Sequence, residues 1–148
     1  MGALALPASG VVYLDSNSFI YSVEKIEPYS SWLDPLWLTA HAGKLQIQSS
    51  ELALLEVLVK PFKDGDAVLE LSFRSLLLGS REVQLIPITK IILERAAGLR
   101  ATVGLKTPDA IHAATALLNG CAQFVTNDPA FRRVSGLPVA VLSEIAAA

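Results

Sequence analysis

Short apolar runs alternate with longer stretches of helical spacing from Val11 to Leu142, and this alternation constrains the fold more than any other feature. Val11-Val12-Tyr13-Leu14 reads as a short, fully buried strand, and Ser16 to Val23 can begin a helix behind it. Tyr29 to Ala42 carries Trp32, Leu33, Leu36, Trp37 and Ala40 at helical spacing, which favours core packing for the aromatic stripe, and Gly43 stops it. Leu45-Gln46-Ile47-Gln48 alternates like a half-buried strand. Ser49 or Ser50 then caps a helix to about Val59, ended by Lys60-Pro61. Asp64 or Asp66 begins a helix over Ala67 to Leu78, closed by Gly79. Val83 to Ile86 is a strand, and Thr89 caps a helix from Lys90 to about Thr102. Thr107-Pro108 opens Asp109 to Leu118, with Thr107 as cap and proline at the first helical position. Ala122 to Thr126 is a strand, Pro129 to Val134 a helical turn, and Val139 to Leu142 a last strand. Such a pattern implies an α/β fold, a three-layer α/β/α sandwich with a central parallel sheet. With no linker or repeat in view, residues 1–148 are expected to form one domain with its core at about 11–142.

In sheets of this kind ligands bind beyond the carboxyl ends of the strands. Two acids stand there: Asp15 ends the first strand, and Asp128 follows Phe124-Val125-Thr126. Two more occupy awkward places. Asp109 opens a helix, and Glu56 interrupts the apolar stretch Leu52 to Val59. Each has an ordinary explanation. Asp15 and Asp128 can cap turns, and Asp109 can sit in a helical first turn. Glu56 can pair with Lys60 four residues on, for about 0.2–0.5 kcal/mol if exposed. Glu51 is its rival, but the positive end of the helix dipole explains it more cheaply. His112, alone on an apolar helix, reads as a hydrogen-bonded core residue outside the site.

Taken together, the four acids need a shared purpose. Two unit charges about 4 Å apart repel by about 4 kcal/mol at an effective dielectric near 20. Several such pairs would consume much of a typical stability of about 5–15 kcal/mol. Either protons or cations must neutralise them. Oxygen-only ligands, with no cysteine cluster and scarce histidine, suit Mg²⁺ or Mn²⁺ and argue against zinc or copper.

Bulk properties narrow the function classes. Hydrophobic residues are 52% of the chain and charged residues 18%, a composition for a packed core. The single Cys121 excludes an internal disulfide, and it reads as a small core residue. The opening Met1 to Pro7 lacks a basic region, and no apolar run reaches membrane-spanning length, so the cytoplasm is the expected location. A net charge of −2 gives no overall basic footprint. Lys44, Lys60, Lys63, Arg132 and Arg133 are candidate phosphate-backbone contacts, although any one of them could be an ordinary solvated charge.

These segments resemble a known family. Val12-Tyr13-Leu14-Asp15-Ser16-Asn17 is similar to the opening of a PIN domain, and Leu54-Leu55-Glu56-Val57-Leu58 to its second acidic segment. Thr107-Pro108-Asp109-Ala110-Ile111-His112-Ala113-Ala114-Thr115-Ala116 resembles the third, and Phe124-Val125-Thr126-Asn127-Asp128-Pro129-Ala130-Phe131 the last. Small single-domain members are similar to VapC-type toxins. The resemblance implies a Mg²⁺- or Mn²⁺-dependent ribonuclease using one or two ions, dimeric and held inactive by a cognate antitoxin. It makes Asp15, Glu56, Asp109 and Asp128 the catalytic, metal-binding acids, with Asn17 and Thr126 supporting them. It also implies in-line hydrolysis of RNA that leaves a 5′-phosphate.

Three other readings compete. A haloacid-dehalogenase-like phosphatase wants an aspartate two residues after Asp15, where this chain has Asn17. A receiver-like phosphoacceptor domain wants an acidic pair near its first strand and a strand-end lysine, and neither is evident. A PIN-like domain that binds RNA or a partner without cutting is the non-enzyme alternative.

Overall fold

The structure, a computed structural model, describes residues 3–145. Met1, Gly2 and the last three residues of the expected 1–148 domain lie outside that range. Five strands form one parallel sheet: β1 (Val11–Leu14), β2 (Gln46–Ser50), β3 (Val83–Ile86), β4 (Gln123–Thr126) and β5 (Val139–Val141). Their spatial order is β3-β2-β1-β4-β5. Parallel neighbours require crossovers, and helices supply most of them. These are α1 (Ser16–Val23), α2 (Tyr29–His41), α3 (Leu52–Asp64), α4 (Ala67–Gly79), α5 (Lys90–Val103) and α6 (Thr107–Leu118). A 3-10 turn, Pro129–Arg133, joins β4 to β5, and a short α7, Leu142–Ile145, follows.

Strand side chains alternate between two cores. Val12, Leu14, Ile47 and Val125 pack with Phe19, Leu33, Leu36, Val57 and Phe73 from α1 to α4. Tyr13 and Phe124 face the other way, against Ala113 and Ala114 of α6, Ile92 of α5 and Phe131. The sheet is therefore covered on both sides, as the α/β/α sandwich expected from the sequence requires. Among the described residues no helix is long and apolar enough to cross a membrane.

Several local expectations need correction. β2 was expected to be half-buried over 45–48, but it runs to Ser50 and is buried along nearly its whole length. It lies between β1 and β3 with helices on both faces, so even Gln48 is buried and its amide must bond to Gln84 Oε1, at 2.9 Å. Lys60-Pro61 does not end α3, which continues to Asp64. The buried Pro61 ring packs inward, and its carbonyl accepts the amides of Gly65 and Asp66, so the proline anchors the helix end. Gly65 supplies the left-handed conformation there, φ 62°. α6 begins at Thr107, one turn position ahead of expectation, with Lys106 as its cap residue. β5 stops at Val141, and α7 was not anticipated.

Candidate active site

The strand order reverses direction between β1 and β4. From β1 the chain moves outward through β2 to β3, and later from β4 outward to β5. A crevice beyond the carboxyl ends at such a point is the usual ligand position in open α/β sheets. Asp15 leaves β1 there, and Asp128 leaves β4 beside it.

Asp15 occupies the cap position of α1, yet its side chain makes no capping bond. Oδ2 instead accepts the Thr126 hydroxyl across the β1–β4 pair, at 2.6 Å. The same Thr126 oxygen accepts the Asp128 amide at 3.1 Å, so one hydroxyl ties both strand exits together. Asp15 is only 6% exposed, and its Oδ1 is buried with no hydrogen-bond partner. Burial pushes this carboxyl up to about 6, against the Thr126 bond that holds it down, with the nearby Glu56 carboxylate also raising it.

Asp109 is half-buried in the first turn of α6. Burial raises its carboxyl above the usual aspartate range, and the carboxylates of Asp128 and Glu56 push it further. Asp128 serves partly as the expected cap, its Oδ1 accepting the Ala130 amide at 2.9 Å. Glu56 does not pair with Lys60, which forms an ion pair with Glu24. Its Oε1 lies 2.6 Å from His112 Nε2. Glu51, the rival acid, is exposed at the cap of α3. The four acids chosen from the sequence thus share one neighbourhood, where each of Asp15 and Asp109 feels the charge of another member.

The supporting residues divide. Thr126 is fully buried and central to the site. Asn17 is exposed in α1 and makes no side-chain hydrogen bond among the described residues. Asn127, which sequence reasoning passed over, braces the strand exit by bonding the Tyr21 hydroxyl at 3.2 Å and the Ser143 amide at 2.8 Å. The sequence places His112 in the core, outside the site. It is indeed buried and bonded to the Tyr13 hydroxyl at 2.7 Å, but its other nitrogen reaches Glu56. The signal lay in the spacing of Asp109 and His112, three residues apart on one helical face.

Of the basic residues, Arg132 is paired with Glu144, and Arg133 Nε donates to the Ala130 carbonyl at 3.3 Å. Lys63 is exposed. Lys44 precedes β2 and lies at the opposite end of the sheet, which removes it from the crevice. Cys121 is half-buried, and burial pushes its thiol up to about 11, a poor setting for a nucleophile.

The sequence profile of the PIN domain matches residues 12–137, and the chain belongs to the PIN-domain family. Its fold is that of the toxin chains in VapBC toxin–antitoxin structures. A chain of VapBC2 from Rickettsia felis, bound to a DNA fragment from their promoter, superposes with a TM-score of 0.72 at 20% identity, covering 88% of this chain and 98% of that one. A chain of a toxin–antitoxin complex from Klebsiella pneumoniae is 25% identical with a TM-score of 0.64, covering 88% and 96%. VapC20 of Mycobacterium tuberculosis, a toxin that cleaves the sarcin-ricin loop, gives a TM-score of 0.69 at 15% identity, covering 85% and 95%. No curated protein matches the sequence.

Proposed function

We propose that this protein is a Mg²⁺- or Mn²⁺-dependent endoribonuclease, the toxin of a VapBC-type pair, acting in the cytoplasm as a homodimer restrained by a cognate antitoxin. One observation carries the reading. Asp15 is a buried carboxylate at the point where the strand order reverses, with one oxygen held by Thr126 and the other without any partner. A carboxylate left in that state is costly unless something positive arrives. The donor set fits magnesium or manganese in kind, since all four acids offer oxygen.

Asp15, Asp109 and Asp128 would hold the ion directly, with Glu56 acting through water or as an outer base. When bound, such an ion supplies charge neutralisation at a phosphate and a more acidic water. The chain's own residues do the positioning. Thr126 fixes Asp15 and the Asp128 backbone in one register, and burial keeps bulk water from Asp15. No protein nucleophile is required. Lys106, close enough to temper the Asp109 carboxyl, supports an approach of RNA phosphate from that side. An antitoxin partner is supported by the VapBC structures that share the fold. It is also supported by an apolar hollow of about 350 Å³ on α3, where Leu55, Val59 and Phe62 stand exposed.

A second reading has one observation in its favour. Among the described residues no three Asp, Glu, His or Cys side chains gather tightly enough to cage an ion unaided. A catalytically silent PIN-like domain that binds RNA or a partner would tolerate that spacing. Incubation of purified protein with Mn²⁺ and a fluorescent RNA, alongside Asp15→Asn and Asp109→Asn, separates the two. Metal-dependent cleavage lost in both variants is the expected result. Intact RNA at every Mn²⁺ concentration, with binding retained, would establish the silent binder instead.

A further inference from the structure

Both ring nitrogens of His112 are committed, and they connect the second core to the acidic crevice. Tyr13 is fully buried, stacked on Phe124 with ring centroids 5.1 Å apart and planes 6° from parallel. It meets the His112 ring edge-on, at 5.8 Å and 74°. Packing therefore fixes both rings before any hydrogen bond is counted. The phenolic oxygen then lies 2.7 Å from Nδ1, and Nε2 lies 2.6 Å from Glu56 Oε1.

Donor and acceptor roles follow from chemistry. An ionised carboxylate only accepts, so the proton in the Glu56 contact belongs to Nε2. A neutral imidazole protonated there carries a lone pair at Nδ1, which needs a donor. The hydroxyls of Ser49 and Thr115 are spent on the carbonyls of Leu14 and Ile111, at 2.6 and 2.7 Å. The Tyr13 phenol is the donor left.

We propose that Tyr13 sets the Nε2–H tautomer of His112, and that His112 is a positioning residue that holds Oε1 of Glu56 and leaves Oε2 for the crevice. Among the described residues Oε2 has no hydrogen-bond partner. The glutamate is a flexible side chain, a quarter exposed, facing other carboxylates that repel it. Without the imidazole it would swing toward water, and a group free to leave is a poor ligand or base. The catalytic consequence rests on the nuclease reading above; the tautomer does not.

The chain has two histidines, so nitrogen NMR of the ¹⁵N-labelled, EDTA-treated protein at pH 7 resolves both, with the exposed His41 as reference. His112 is expected to show a protonated Nε2 and a bare Nδ1, drifting to a mixture in Tyr13→Phe. Protonation at Nδ1 alone, or at both nitrogens, overturns the proposal. The positioning role is read from His112→Gln, whose amide replaces the Nε2–H, against His112→Phe, which offers no donor. Calorimetric Mn²⁺ titration without RNA and cleavage kinetics are both run on variants whose melting curves show them folded. His112→Phe should weaken Mn²⁺ binding or lower kcat by about 10–100-fold with KM for RNA unchanged, and His112→Gln should recover most of that loss. Equal losses in the two variants overturn positioning. If His112→Phe does not fold, Tyr13→Phe takes its place, and full activity there is the overturning result. Wild-type protein that neither binds Mn²⁺ nor cuts RNA would remove the nuclease reading, while the ring-nitrogen spectra still decide the tautomer.

Discussion

The two ends of the β-sheet offer opposite cues. At the amino ends of the strands lies a cavity of about 550 Å³, bordered by His41, Lys44, Arg81 and Glu82. Its charged groups are exposed or paired, with His41 Nδ1 2.7 Å from Glu82 Oε1. At the carboxyl ends, by contrast, Asp15 Oδ1 and, one helical turn on, Ser18 Oγ are buried without partners among the described residues. A large hollow with satisfied walls costs the fold little. A buried carboxylate with an unanswered oxygen costs far more, and a proton, a water or a cation must answer it. Gln48 Oε1 in the middle of β2 and Gln123 Oε1 at the start of β4 are buried without partners too, but both are neutral amides, so what sets the carboxyl ends apart is an unpaired acid.

Activity should separate the two ends most sharply. Asp15→Asn should reduce RNA cleavage by more than the roughly 100-fold ceiling of an outer-sphere change, measured with saturating Mn²⁺. An equal loss in Lys44→Ala or Arg81→Ala would reverse the assignment of the two ends. Glu56→Gln should cost about 10–100-fold while Glu51→Gln leaves the rate unchanged, and the same RNA assay distinguishes them.

Stability provides the next test. Burial holds the Asp15 carboxyl at about 6, above the roughly 3.9 of an unfolded-chain aspartate. The folded state then keeps a proton that the unfolded chain releases between about pH 4 and 6. This contribution is fully present below about pH 4, is lost as pH rises to 6, and stays lost above it. The loss is on the order of 2–3 kcal/mol in EDTA. Urea midpoints of wild type minus Asp15→Asn across pH 4–8 should trace that fall, with the variant the more stable at pH 7. A flat difference would mean that Asp15 is not desolvated. Thr126→Val should cost about 1–3 kcal/mol by removing the hydroxyl that bonds Asp15 Oδ2, again by urea midpoint. The smallest effect belongs to the other end, where Lys44→Ala should stay within about 0.5 kcal/mol of wild type.

Much of this contrast is legible in the sequence because it rests on local chemistry. Val11 to Leu14 and Val83 to Ile86 are apolar runs with clear boundaries, and Thr89 caps α5 as its position suggests, accepting the Ile92 amide at 3.3 Å. The acids stood out at strand exits for the same reason. What stayed hidden depends on distant partners. Nothing near Gln48 announces that β2 is flanked on both sides, and local rules end a helix at Pro61, whereas burial there carries it onward. Lys60 lies four residues from Glu56, yet tertiary packing gives it to Glu24 and gives Glu56 to His112. His112 looked like core because it is core, and a single residue can serve two environments through its two nitrogens.

The pairing of β1 with β4 joins an early segment of the chain to a late one. Thr126 and Asp15 are 111 positions apart, with three helical crossovers between them, so their bond is among the most non-local contacts of the fold. A nascent chain carries Asp15 and Glu56 long before Asp128 exists. On the nuclease reading, an unfinished chain therefore holds an incomplete acid set until the segment that carries Asp128 has been made.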